Sequence, residues 1–418
     1  MFYTVYSDDK GNIFESKKYL PVGRAGNRFV EIQEQDLIEL PSGAELMMLP
    51  GRHPVGISRK DGRFSLVEDG RNVFAVGAVL PQGYTRTLLP AYTSNKGKRG
   101  KPLPLFGYTA VAFKGDRFYI AAKKTDETDR WDPKWFNTPE LPDLINQKCD
   151  KFPENRILKQ LARCALDYGC FTAQNIFYER WEGGIPVSPT CNAACLGCIS
   201  KQPAECCPSP QARINFIPSI KEVVELGVSH LLNAEQPIIS FGQGCEGEPT
   251  MAGDLLVAAV LKIREKVAKG VININTNGSR TGVINKLCEA GLNSMRVSII
   301  SADEGIYNIY YNPKGYQLKN VKQSIITAKD KGVFVSLNLL TFPGVTDRED
   351  QVEALLRFLR ETGVDMVQFR NLNIDPEFFM NALPPSGNEI FGINNLIKIL
   401  RHELPHLRIG NCTPYLLS

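Results

Sequence analysis

From residue 183 onward the chain alternates apolar runs with helical stretches, and this constrains the fold more than any other feature. Strand candidates are residues 184–187, 237–241, 271–276, 294–300, 333–340 and 365–370. Between them the apolar spacing predicts helices over 219–232, 252–268, 283–290, 318–331 and 348–362. Apolar strands separated by helices pair in parallel and are covered by those helices. Six such units predict an α/β core over residues 183–376, an incomplete (β/α)6 barrel. In barrels of this kind the chemistry sits at the carboxyl ends of the strands.

The residues just after the predicted strands are the informative ones. After the first, residues 188–200 read Ser-Pro-Thr-Cys-Asn-Ala-Ala-Cys-Leu-Gly-Cys-Ile-Ser. Cys191, Cys195 and Cys198 fall within eight residues, and the small fillers Ala193, Ala194 and Gly197 let the backbone approach a compact metal centre. Iron–sulfur clusters are held by cysteine thiolates. Three close ligands and no obvious fourth suggest a cubane with one iron left open to a substrate or cofactor. Structural zinc is the rival, but it wants four closed ligands, and none of the four histidines (His53, His230, His402, His406) is near in sequence. Three free core cysteines are the bland alternative, which their clustering disfavours.

The C-x3-C-x2-C spacing after a short strand resembles the signature of the radical SAM superfamily. The resemblance covers about residues 183–376, and Gly197 departs from it, an aromatic residue being common there. It implies a partial barrel in which Cys191, Cys195 and Cys198 ligate a 4Fe-4S cluster. S-adenosylmethionine (SAM) would chelate the fourth iron through its amino and carboxylate groups. The turn Gly242-Gln243-Gly244-Cys245-Glu246-Gly247-Glu248-Pro249 is similar to the family's Gly-Gly-Glu-Pro-like motif, which holds the SAM amino group; the resemblance makes Gly247, Glu248 and Pro249 SAM-binding residues, with Cys245 and Glu246 making the turn long. A glycine-rich turn alone is the plainer reading. Thr276-Asn277-Gly278 after the third strand is similar to many family cores, which brings in Asn277. On the fourth strand Arg296 and Ser298 share a face, and family members use such residues for the SAM carboxylate and ribose. Arg370, Asn371 and Asn373 are further SAM or substrate contacts. Asp347, in Pro343-Gly344-Val345-Thr346-Asp347, reads as a helix N-cap.

The activity the resemblance implies is reductive cleavage of SAM to a 5′-deoxyadenosyl radical that abstracts hydrogen from a substrate. The electron would come from a reduced flavodoxin or ferredoxin-type donor. The substrate, whether small molecule, peptide or nucleic acid, is not encoded in any motif. Cys245 and Cys412 are candidate catalytic cysteines, since Cys412 loosely resembles the methyl-carrying cysteine of radical methyltransferases. A cysteine-dependent radical methyltransferase is therefore one alternative. A non-catalytic iron–sulfur redox or sensor protein is another, and a zinc-stabilised nucleic-acid module a third.

The rest of the chain frames this core. Residues 1–125 read as a β-rich accessory domain, with short runs at 3–6, 29–32, 54–58, 73–76, 108–113 and 118–122, the last two forming a hairpin around Gly115. Its basic run at 96–101, near Tyr92 and Phe106, reads first as a solvated loop and second as a phosphate or nucleic-acid grip. Residues 126–182 read as linker and helix, and 377–418 as a C-terminal helix and capping tail. Cys149, Cys164 and Cys170 read as buried small apolar residues, and the adjacent Cys206 and Cys207 do not add a second cluster. The net charge of +4 is too small to imply a nucleic-acid partner. Residues 1–12 carry no long apolar run, so neither signal peptide nor membrane span is expected. Eleven cysteines without such a leader suit a reducing, cytoplasmic setting.

Overall fold

The computed structural model describes residues 1–70, 72–94, 102–103, 105–127, 129–201 and 209–416. The basic run at 96–101 and Cys206 and Cys207 lie outside the described residues. By its internal contacts the chain divides into two compact units, neither continuous in sequence.

One unit comprises Met1–Glu127, Leu340–Ala354 and Phe369–Pro405. Among its described residues are two antiparallel sheets. The first is built around Tyr3–Ser7, Phe74–Val79, Tyr108–Lys114 and Arg117–Lys124. The hairpin expected at Gly115 is present, with Phe113 opposite Phe118. Gly115 and Asp116 both take positive φ, as a tight two-residue hairpin demands. The second sheet is built on Tyr19–Ala25 and Arg52–Ser58. Pro21 and Gly23 hide Tyr19–Ala25 from a propensity reading. Gly23 is there for space, because a Cβ would lie 2.7 Å from Leu88 Cδ1.

Segments read from sequence as barrel and tail pack within this unit. Gly26 N donates to Pro343 O at 2.8 Å, and a Cβ on Gly344 would lie 1.9 Å from Gly26 N. Arg52 pairs with Asp375 at 3.2 Å, both buried. The buried Arg86 guanidinium donates to the carbonyls of Phe106 and Leu372.

The other unit comprises Thr128–Leu339, Leu355–Gln368 and His406–Ser418. Three helices, Leu141–Lys151, Arg156–Leu166 and Phe171–Tyr178, occupy the expected linker region. The core sheet then runs in sequence order through seven strands: Arg180–Gly184, Glu235–Phe241, Val271–Thr276, Ser294–Ile299, Phe334–Thr341, Met366–Asn371 and Arg408–Gly410. It is the parallel half-barrel expected, with corrections at both ends. The first strand precedes the predicted run 184–187. Ile185 N still reaches Ser240 O, but Pro186 has no N–H and the ladder stops. The seventh strand, parallel to the sixth, makes one strand more than the six predicted for the barrel; it is three residues long and comes from the tail. No helix among the described residues is long and apolar enough to cross a membrane.

Candidate functional site

The cysteine loop leaves the first core strand and is held by three neighbouring segments. Ala194 N and Leu196 N donate to the carbonyls of Tyr311 and Tyr310, both at 2.9 Å. Those tyrosines end the helix Glu304–Tyr311, whose buried rings pack against one another. Asn192 donates through Nδ2 to Ser279 Oγ (2.9 Å) and accepts from Asn277 Nδ2 (2.8 Å), which ties the loop to the Thr-Asn-Gly turn.

The third tie is the turn after the second strand. Gly247 N donates to Ser188 O at 2.7 Å and Glu248 N to Thr190 O at 2.8 Å. The approach is so close that a Cβ on Gly247 would lie 2.1 Å from Thr190 O. Gly242, at φ +82°, starts the turn, and a Cβ there would lie 1.8 Å from Asn275 O. Both positions admit only glycine.

Two buried carboxylates, two residues apart, organise this turn. Glu246 accepts from four backbone N–H groups: Val187 (2.8 Å), Ser188 (3.1 Å), Gly242 and Gln243 (3.1 Å). It fastens the start of the cysteine loop to the start of the glycine turn. Burial still outweighs these bonds and lifts its pKa to about 7. Glu248 accepts from Thr250 N and Oγ1, Thr276 Oγ1 (2.6 Å) and Asn277 N (2.7 Å). Oε1 takes three of these donors and Oε2 only Asn277 N, so Oε2 keeps an acceptor site to spare. Burial raises this carboxyl as well.

Cys191, Cys195 and Cys198 are half-buried and line one cavity of about 500 Å³, with Lys201, Arg213 and Lys314 in its wall. Arg213 reaches Ser200 Oγ through Nε (3.0 Å), Pro189 O through Nη1 (3.4 Å) and Cys198 Sγ through Nη2 (3.6 Å). Burial pushes the Cys191 and Cys195 thiols up, so their thiolates need a cation. Among the described residues, no three His, Cys, Asp or Glu side chains converge on a single-ion site. The three thiols instead surround a space large enough for a multi-iron cluster, and the donor set fits one.

A polar band crosses the core sheet on one face. Ser240 lies beside Asn273, Asn273 beside Ser294, Arg296 beside Ser336, and Ser298 beside Asn338. Ser240 Oγ donates to Glu182 (2.6 Å), Asn273 Nδ2 to Ser240 Oγ (3.0 Å), and Asn338 Nδ2 to Ser298 Oγ (3.1 Å). Arg296 Nη1 reaches Gln368 Oε1 and Thr413 Oγ1, each at 3.4 Å. Arg296 and Ser298 do share a face, within a longer polar array.

The remaining candidate residues have the following surroundings. Asn371 is engaged with the β-rich region, accepting from Arg86 N (2.9 Å) and donating to Tyr84 O (2.9 Å). Asn373 packs on Gly107, its Oδ1 3.1 Å from where a Cβ would be. Cys412 is buried with Trp131 and Phe136 in an aromatic cluster. Cys245 is buried and donates to Cys164, and that bond and burial push its thiol well above the ordinary range. A reactive cysteine needs thiolate character and access, and this setting supplies neither.

Sequence reasoning missed Glu246, Arg213 and most of the band. The band had a readable signal, polar residues at alternate positions of Asn273–Asn275, Ser294–Arg296–Ser298 and Ser336–Asn338.

Residues 185–359 match the model of the radical SAM superfamily. Among solved structures, native anSMEcpe with bound AdoMet is 18% identical over 46% of this chain and 52% of its own, with a TM-score of 0.35. Methylornithine synthase (PylB) is 17% identical over 64% and 73%, with a TM-score of 0.38. A radical SAM methyltransferase from Sphaerobacter thermophilus is 15% identical over 57% and 68%, with a TM-score of 0.39. The chain spans about half the length of the first of these. No curated protein matches it in sequence.

Proposed function

We propose, from the chain's membership of the radical SAM superfamily through residues 185–359, that it is an enzyme using a 4Fe-4S cluster on Cys191, Cys195 and Cys198 to cleave SAM reductively. Held by Cys191, Cys195 and Cys198 and reduced, such a cluster would supply the single electron for cleaving a carbon–sulfur bond of SAM and so the radical chemistry for hydrogen abstraction. The observation that carries this reading is the shared cavity of three thiols, flanked by the Gly247–Glu248–Pro249 turn.

The chain's own residues then have distinct tasks. Arg213, beside Cys198, offsets the negative charge of bound thiolates. Gly247 lets its turn lie against the cysteine loop. Glu248 holds the Thr276–Asn277 turn in position and keeps an acceptor site on Oε2 for the SAM ammonium. Arg296 offers a cation to an anionic group, and the polar band with Ser298 suits a substrate rich in hydrogen-bonding groups. Lys201 and Lys314 in the cavity wall favour an acidic electron donor such as a reduced flavodoxin or ferredoxin.

The test is anaerobic reconstitution followed by SAM and dithionite, with 5′-deoxyadenosine assayed. Release of 5′-deoxyadenosine that is lost in Cys195→Ala is expected. A cluster-loaded protein that neither binds nor cleaves SAM would move the reading to a redox carrier.

A further inference from the structure

A groove of about 780 Å³ lies within the unit that holds the core sheet, lined by helices and their caps and by no core strand. The helix Ile220–Asn233 runs the length of it, giving its first and last residues to the wall. The rest of the wall is the end of the helix Gly253–Lys266, with Lys151 and Phe152 at the end of Leu141–Lys151. Ile220–Asn233 and Gly253–Lys266 approach closely at Gly227, where a Cβ would lie 2.6 Å from Ile263 Cδ1.

A helix that covers a sheet needs one apolar stripe. Ile220–Asn233 has two. Val223, Leu226 and Leu231 are wholly buried. The second stripe, Ile220, Val224, Val228 and Leu232, repeats at every fourth residue along the groove. Residues so spaced share a face, here over about 18 Å at 1.5 Å per residue. Only Val224 of the four is buried; Ile220 and Val228 are half-buried, and Leu232 is 49% exposed. An exposed apolar row with a polar rim marks an interaction site.

The rim is basic. Lys151, Lys221, Lys262 and Lys266 stand exposed around it. Lys269 Nζ donates to Leu232 O at 3.0 Å, which adds a cation at the exposed end of the stripe. Two acids share the wall. Glu225 is engaged by Lys221 (3.7 Å) and Asn155 Nδ2 (3.1 Å), and Glu265 is exposed. The cations outnumber them.

We propose that this groove docks an acidic amphipathic helix of a partner protein. The partner's apolar face packs along Ile220, Val224, Val228 and Leu232, and its flanking carboxylates meet the lysines of the rim. A flat bilayer does not fill a concave groove, and a second copy placed symmetrically on this face sets lysine against lysine. The site needs neither cluster nor SAM, so its failure and that of the radical reading are separable.

The probe is a fluorescein-labelled peptide of about sixteen residues repeating Leu-Ala-Glu-Glu, which puts its leucines on one helix face with carboxylates beside them. The control repeats Leu-Ala-Lys-Lys. Each is titrated with the full-length protein, without cluster, and followed by fluorescence anisotropy at low and high salt. The acidic peptide is expected to bind saturably, at least about tenfold more tightly than the control, and to weaken severalfold at high salt. Leu232→Glu is expected to weaken it by at least about tenfold and Lys262→Glu severalfold. Both positions are exposed, and circular dichroism checks each fold. No saturable binding of the acidic peptide, equal binding of the control, or unchanged affinity in a folded variant would each overturn the proposal. So would binding to phosphatidylserine vesicles in place of the peptide, which would make the groove a membrane-facing surface.

Discussion

Two sets of three cysteines lie in the same unit and are built in opposite ways. Cys191, Cys195 and Cys198 come from one short loop, are half-buried, and surround a cavity with Arg213 beside them. Cys164, Cys170 and Cys245 come from a helix, a helix start and the glycine turn. Cys245 donates to Cys164, which also accepts from Gln160 Nε2 at 3.3 Å; Cys170 N donates to Cys164 O, and its thiol meets Thr172 Oγ1 at 3.4 Å. The second set satisfies itself. The first is satisfied by backbone ties that leave its sulfurs facing open space. Metal capacity is therefore set by where the loop's hydrogen bonds come from, not by how many thiols gather.

The largest effect that tests this contrast is on iron content. Cys195→Ala should cut iron incorporation by more than the roughly tenfold to hundredfold typical of outer partners of a metal site, while Cys164→Ala should keep it. Comparable loss in both, measured by iron and sulfide assay, would erase the distinction.

Next in size is Gly247→Ala, which places a methyl on Thr190 O. Overpacking of this kind costs about 1–3 kcal/mol, and here the strain falls on the cysteine loop. The melting temperature should drop and cluster loading with it, whereas the second thiol set should be undisturbed.

Glu246→Gln sharpens the comparison through pH. The amide turns its NH2 toward two of the four backbone donors, at a cost of about 1–3 kcal/mol. The folded pKa of Glu246, about 7, lies above its unfolded value. Its stabilisation is therefore fully present below the unfolded pKa and is lost as pH rises through 7. Glutamine does not titrate, so the substitution should destabilise more at pH 5 than at pH 8. Denaturant melts of both proteins at the two pH values decide it, and the reverse order would refute the assignment. The smallest effect is expected from Cys245→Ala, about 1 kcal/mol of lost packing with no change in iron.

Much of this contrast was legible in the sequence, for a physical reason. Cys191, Cys195, Cys198, Gly247, Glu248 and Asn277 lie in short strings whose residue types and spacing carry meaning locally. The parallel core was legible because helices and apolar strands have different periods. Glu246 was not, because its role depends on joining the N–H groups of its own turn to those of Val187 and Ser188, nearly sixty residues away. Arg213 gave no local signal, since its meaning lies in a sulfur fifteen residues away. Asn371 looked like a ligand-binding residue because its string is polar, and its amide bonds Arg86 N and Tyr84 O, partners some 285 residues away in the sequence. The first core strand was misplaced because Pro186 and two glycines blur its end, and those glycines are dictated by Ile176 and Gln243, which a Cβ would strike.

The ties on the cysteine loop also dictate when it takes shape. Its anchors lie 58, 85 and 87 residues away along the chain, at Glu246, Asn277 and Ser279. Contacts of such separation form only after the chain has met the entropic cost of closing large loops. The loop therefore acquires its geometry late, once the second, third and fourth core strands have paired and the helix Glu304–Tyr311 is in place. Iron offered to the nascent chain meets three scattered thiols, whereas iron offered to the folded chain meets a chamber. Refolding apoprotein before adding iron should therefore give higher cluster occupancy than adding iron during refolding.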